Sequence, residues 1–142
     1  MFRNALSVIF LLLLCATLSA CSEEVKSGNE KVLNVNDDSF KQLILESKGV
    51  VVVDFFRPDC KPCKWLAPTI NSLAEDMPDI KFYRLDIYRA KNTDENYKIT
   101  GYPTVIIFKD GKEVSREEGA SRDNPKGQEE YLKKQIEAAK LQ

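Results

Sequence analysis

From Val50 to Phe56 the chain is apolar at every position but one. Four valines and two phenylalanines in such a run are the pattern of a strand buried on both faces. Arg57-Pro58-Asp59 breaks the run. Cys60-Lys61-Pro62-Cys63 then opens a stretch in which Cys63, Leu66, Ala67, Ile70, Leu73, Ala74 and Met77 recur at three- and four-residue steps. That spacing places them on one face of a helix. Pro68 falls inside it, removes one backbone donor and should kink it, and Met77-Pro78-Asp79 ends it.

The same reading extends outward in both directions. Val32–Val35 is a short strand, and Asn36-Asp37-Asp38-Ser39 supplies N-cap chemistry. Phe40, Leu43, Ile44 and Ser47 mark the face of a first helix that Gly49 closes. Downstream, residues 80–87 form a strand. Residues 89–97 are polar with a short helix, and Tyr97 and Ile99 return to the core. Residues 104–108 form a strand, Asp110-Gly111 signals a hairpin, and residues 113–117 pair back antiparallel. Asn124 caps a last helix with Pro125 in its first turn and Leu132, Ile136 and Ala139 on its buried face. The order β-α-β-α-β-α-β-β-α predicts an α/β domain with a mixed central β-sheet flanked by helices.

Two features of this pattern carry chemistry. A helix N-terminus stabilises negative charge, and the thiolate is the nucleophile of disulfide exchange. Cys60, at the helix start, is therefore expected to be exposed and to have a lowered pKa. Cys63 lies about one turn in, faces inward and is within bonding reach of Cys60, which suits a resolving thiol. The second feature is Asp54, the polar position in the apolar strand. Aspartate is depleted in strands and costly to bury alone. A buried carboxylate there is placed to take the proton from Cys63 as it attacks. Arg84 either pairs with Asp54 or points into solvent.

The 142-residue chain is long enough for one domain and a leader. A formal net charge of −1 gives no electrostatic reason to expect nucleic acid as a partner. The chain has no histidine, which removes Cys–His nucleophile pairs and most zinc or copper patterns. Ala5 to Leu14 is apolar except for Ser7, follows Arg3, and is short for a spanning helix. It reads as a signal peptide over residues 1–20. Leu18-Ser19-Ala20-Cys21 looks like a bacterial lipobox, which makes Cys21 the lipidated first residue of the mature chain. Residues 21–31 then form a polar, flexible tether, and residues 32–142 the domain. Cys15 leaves with the leader, so Cys60 and Cys63 remain as the redox pair. The domain would sit on the cell envelope outside the cytoplasmic membrane. In a Gram-negative host, Ser22 after the cysteine favours the periplasmic face of the outer membrane.

The segments NDDSF (36–40), VVVDFF…CKPCKWLAP (51–68), GYPT (101–104) and VIIFKDGKEV (105–114) resemble the thioredoxin family over residues 35–139. The resemblance implies the thioredoxin fold and a disulfide reductase that needs no cofactor besides the Cys60–Cys63 dithiol/disulfide pair. It implies that Pro103 is a cis-proline beside the cysteines and that the backbone of Tyr102 pairs with an extended substrate segment. Tyr102, Pro103, Trp65, Lys61 and Pro62 become the expected substrate contacts, although Trp65 is equally suited to packing. Thioredoxins usually carry Trp before the first cysteine and Gly after it, where this chain has Asp59 and Lys61. The expected partners are disulfide-containing extracytoplasmic proteins and a membrane thiol electron donor, and a monomer is expected. Other readings of the pair are a thiol oxidase or isomerase of the same fold and a Cu(I)- or zinc-binding delivery protein. A non-catalytic binding module is a third.

Overall fold

The computed structural model describes residues 31–142. The expected leader, the lipidation site Cys21 and all of the tether but Lys31 lie outside them. Five strands form one sheet: β1 (Val32–Val35), β2 (Val50–Phe56), β3 (Lys81–Asp86), β4 (Thr104–Lys109) and β5 (Lys112–Glu118). Their order across the sheet is β1-β3-β2-β4-β5. β3 runs parallel to both β1 and β2, whereas β2–β4 and β4–β5 are antiparallel. The helices are α1 (Asp37–Phe40), α2 (Lys61–Asp76), α3 (Lys91–Asn96) and α4 (Pro125–Lys140). This is the mixed, two-sided architecture read from the sequence.

Alternation along β2 divides the core. Val50 and Val52 point to the side covered by α2 and α4, where they meet Leu66, Ile70, Leu132 and Ile136. Val51, Val53 and Phe55 point to the other side and meet Phe40, Ile44 and Phe108. Both faces are buried, which is why the strand has no polar alternation.

Local chemistry sets the element ends. Asn36 and Ser39 form a reciprocal capping box at α1, each side chain accepting from the other's backbone N–H at 3.1 Å. The helix then widens into a π-helical turn over Lys41–Leu45, a departure from the plain α-helix that the apolar spacing implied. Asp110 and Gly111 both have positive φ, 49° and 79°, as a two-residue hairpin turn requires. A side chain at 111 would collide with the backbone carbonyl of Leu45. The turn is tied down by the Gly49 N–H, which donates to Asp110 Oδ1 at 2.9 Å. α2 continues through Pro68 to Asp76.

Topology brings three segments to one end of the sheet. β2 ends at Phe56 and leads to Cys60. Because β4 is antiparallel to β2, Thr104 at the start of β4 pairs with Phe55, so Tyr102-Pro103 arrives beside the same loop. The end of β5 joins them through the Gly119 N–H, which donates to the Pro103 carbonyl at 2.8 Å.

Candidate active site

Cys60 is the N-cap of α2, with extended backbone (φ −81°, ψ 114°), and Pro62 lies in the first helical turn. Proline is suited there because the first N–H groups of a helix have no partner within it. The Cys63 N–H donates to Cys60 Sγ at 3.1 Å, and the Lys64 N–H donates to the Cys60 carbonyl at 3.3 Å. The two cysteines are disulfide-bonded, with Cα atoms 5.3 Å apart.

Cys63 is buried, as its place on the apolar face implies. Cys60 was expected to be exposed, and the structure corrects this: it is only 6% exposed. The disulfide turns its sulfur toward Cys63, and the Tyr102 carbonyl lies 3.5 Å from Sγ on another side. When the sulfur is reduced, that carbonyl can accept from the thiol.

The Tyr102–Pro103 peptide bond is cis. Tyr102 is held from its other end as well. Its hydroxyl donates to Asp94 Oδ1 at 2.8 Å, and burial together with this bond pushes its pKa up to about 12. Asp94 belongs to α3, whose first turn is anchored by Asp37: its carboxylate accepts from the Thr93 N–H at 2.8 Å and the Asn92 N–H at 3.2 Å. The sequence flagged neither Asp94 nor this use of Asp37: Asp37 is remote from α3 in the chain, and the short stretch between Asp94 and Tyr102 carries no periodicity that pairs them.

Asp59, in the position the family usually gives to tryptophan, belongs to a small polar rim. Arg57 Nε lies 3.5 Å from its Oδ1, and the Tyr88 hydroxyl donates to it at 3.1 Å. Arg57 also places its guanidinium 5.4 Å from the centre of the Tyr102 ring. Of the other expected contacts, Lys61 and Trp65 are exposed and Pro62 is half-buried. The Arg122 guanidinium lies over the Trp65 indole, 5.6 Å from its centroid. Trp65 thus lies at the surface rather than in the core.

Asp54 is fully buried. It shares a strand face with Val50 and Val52, the side covered by α2 and therefore the side toward which Cys63 is buried. Arg84 pairs with it rather than pointing into solvent: its Nε donates to Asp54 Oδ2 at 3.0 Å, and its guanidinium packs over Phe56, 4.1 Å from the ring centroid. Asp54 Oδ1 has no hydrogen-bond partner. Burial raises the Asp54 pKa from its ordinary 3.8 to about 6, and the charge and hydrogen bond of Arg84 offset only part of the effect. Among the described residues, no group of three or more Cys, Asp or Glu side chains is arranged to hold a metal ion.

A disulfide-bonded cysteine pair at a helix start, with the Tyr102 carbonyl against its first sulfur and a buried carboxylate on the strand that leads into it, is the arrangement of a thiol–disulfide exchange domain. The thioredoxin family model matches residues 31–134. Thioredoxin of Chlamydia trachomatis is 39% identical over 85 residues, covering 60% of this chain and 81% of that protein. Thioredoxin of Pseudomonas aeruginosa is 37% identical over 93 residues, covering 65% and 86%. The solved structure of Malassezia sympodialis thioredoxin superposes with a TM-score of 0.64 at 26% identity, covering 74% of this chain and 90% of that one. The chain belongs to the thioredoxin family and is a thioredoxin-like disulfide reductase, with the Cys60–Cys63 disulfide as its redox group.

Proposed function

We propose that this chain is a membrane-tethered reductase of protein disulfides outside the cytoplasm, with Cys60 as nucleophile, Cys63 as resolving thiol and Asp54 as proton acceptor. The observation that carries the role of Asp54 is its buried, partnerless Oδ1 on the strand face that α2 covers. In the reduced protein the Cys60 thiolate attacks one sulfur of a substrate disulfide. That S–S bond breaks, a mixed disulfide forms, and one substrate thiolate leaves. Asp54 takes the proton from the Cys63 thiol, and the Cys63 thiolate attacks Cys60 Sγ. The second substrate thiolate leaves, and the pair ends as the disulfide seen in the structure. The substrate has gained two electrons. Pro103 offers no N–H donor beside the sulfurs, and the Tyr102 backbone is the pairing edge for an extended substrate.

The Cys63 N–H directed at Cys60 Sγ supports a stabilised thiolate, because it donates to the sulfur that bears the charge. Lipid on Cys21 and a polar segment after it would let the domain reach partners while bound to the envelope. A membrane protein with an exposed cysteine pair would return the electrons. The support for the tether is the Leu18-Ser19-Ala20-Cys21 motif at the end of an apolar leader. Among the described residues, no helix is long and apolar enough to cross a membrane.

Two measurements test this reading. Equilibrating the full chain in dithiothreitol or glutathione buffers is expected to give a reduction potential near −270 mV, in the range of reducing thioredoxins. A value near −120 mV would instead make it an oxidant of secreted proteins. For the tether, Cys21→Ser is expected to abolish labelling by a palmitate analogue and to release the domain from the membrane fraction. If labelling persists, the lipid is elsewhere.

A further inference from the structure

We infer that the exposed face of α2 beside the cysteine pair, together with Arg122, is a docking surface for an acidic protein segment next to the substrate's disulfide. This rests on the reductase reading above and adds a substrate class to it. Lys61, Lys64, Trp65 and Pro68 are all exposed. Their spacing of three, four and seven residues puts them on one side of the helix, with neighbouring side chains about 5–6 Å apart. Arg122 joins this stripe by lying over Trp65.

Two other cations near the pair are matched. Arg57 is paired with Asp59, and Arg84 with Asp54. Among the described residues, Lys61, Lys64 and Arg122 take part in no ion pair, although Asp123 is next to Arg122 in the chain. Three unpaired cations therefore surround an exposed indole in a chain whose net charge is −1. The acidic residues at the end of β5, Glu117 and Glu118, line a polar groove with Ser121, Asn124, Gln128 and Tyr131, and Glu118 lies on the Gly101 side of the cysteine pair, so the basic charge is confined to the α2 side. A cation stacked on indole keeps its N–H edge available to a carboxylate, and the apolar ring beneath limits the freedom of that cation. A carboxylate arriving here meets the unpaired charge of Lys61 and Lys64 within a helical turn of the reacting sulfur. Complementary charge raises the rate of encounter and sets the register of a partner more than it deepens the final affinity. The arrangement thus favours a disulfide flanked by Asp or Glu, and it acts through KM.

The test uses the full chain in mild detergent and two disulfide peptides of one sequence, flanked by Glu in one and Gln in the other. At low salt the Glu peptide is expected to have a kcat/KM about tenfold higher, through KM, and the ratio should fall toward one at 0.5 M salt. In an Arg122→Gln, Lys64→Gln double variant the ratio should be near one at all salt concentrations. Reading the ratio within each protein cancels any general change in activity. Trp65 is the only tryptophan, so its emission should shift with the Glu peptide and not with the Gln peptide. Equal rates for both peptides in the parent protein overturn the inference, as does a Glu preference that survives in the double variant. An emission shift with anionic phospholipid vesicles, and no peptide preference, assigns the face to the membrane and also overturns it. Failure to reduce either peptide, or any small disulfide, would instead refute the reductase reading.

Discussion

Cys60→Ser is expected to reduce disulfide turnover to the uncatalysed background, a loss of at least about 10³-fold, whereas Cys63→Ser should stop the reaction one step later. The two outcomes differ because the thiols are not equivalent. Cys60 is the N-cap of α2 and its sulfur receives the Cys63 N–H, an arrangement that favours negative charge on Cys60. A serine hydroxyl does not supply the thiolate that exchange requires, and removing a covalent nucleophile from an enzyme costs up to about 10⁶-fold. Cys63, buried one turn along, is out of reach of a large substrate but within bonding reach of Cys60. Without it, the mixed disulfide has no internal thiol to resolve it. Cys63→Ser should therefore accumulate a covalent complex with substrate, seen as a heavier band on non-reducing electrophoresis that reductant removes. If Cys63→Ser trapped nothing and Cys60→Ser did, the assignment of nucleophile and resolving thiol would be reversed.

Asp54→Asn is expected to raise stability at pH 7 and to lower activity at the same pH. The sign follows from the direction of the pKa change. The folded protein holds the Asp54 proton up to about pH 6, whereas the unfolded chain releases it near 3.8. Between these values the native state binds more protons than the unfolded state, so stability falls as pH rises through the window. The loss is complete above pH 6 and amounts to about 3 kcal/mol. Asparagine resembles the protonated acid and escapes that loss. The variant should gain up to about 3 kcal/mol in urea unfolding at pH 7 and almost nothing at pH 3. Its rate should fall by about 10² at pH 7, the scale of a positioned general base. The acid limb near pH 6 in the parent's rate profile should also disappear. An unchanged rate and profile would remove Asp54 from the proton path and leave it a destabilising partner of Arg84.

Nearly all of the strand and helix order was legible in the sequence, and so was the cysteine pair, because each depends on neighbours in the chain. The apolar run Val50–Phe56 requires cover on both faces, so a central strand follows from it. Three- and four-residue steps after Cys60 require an amphipathic helix, and Asp110-Gly111 requires a hairpin. The anomaly of Asp54 was visible for the same reason: a carboxylate in that run has no route to water. Only the tertiary structure decided what these residues meet. Local spacing placed Cys60 at a helix start and suggested exposure, but Tyr102, 42 residues on, approaches its sulfur. Arg84 had two open readings until β3 set it beside Asp54 in register. The contacts of Arg122 with Trp65 and of Asp94 with Tyr102 left no trace in the pattern. Periodicity is a property of one segment and dictates which of its faces is buried. Which remote polar group arrives at that face depends on sheet order and on the direction of β4 against β2, and no single segment encodes either.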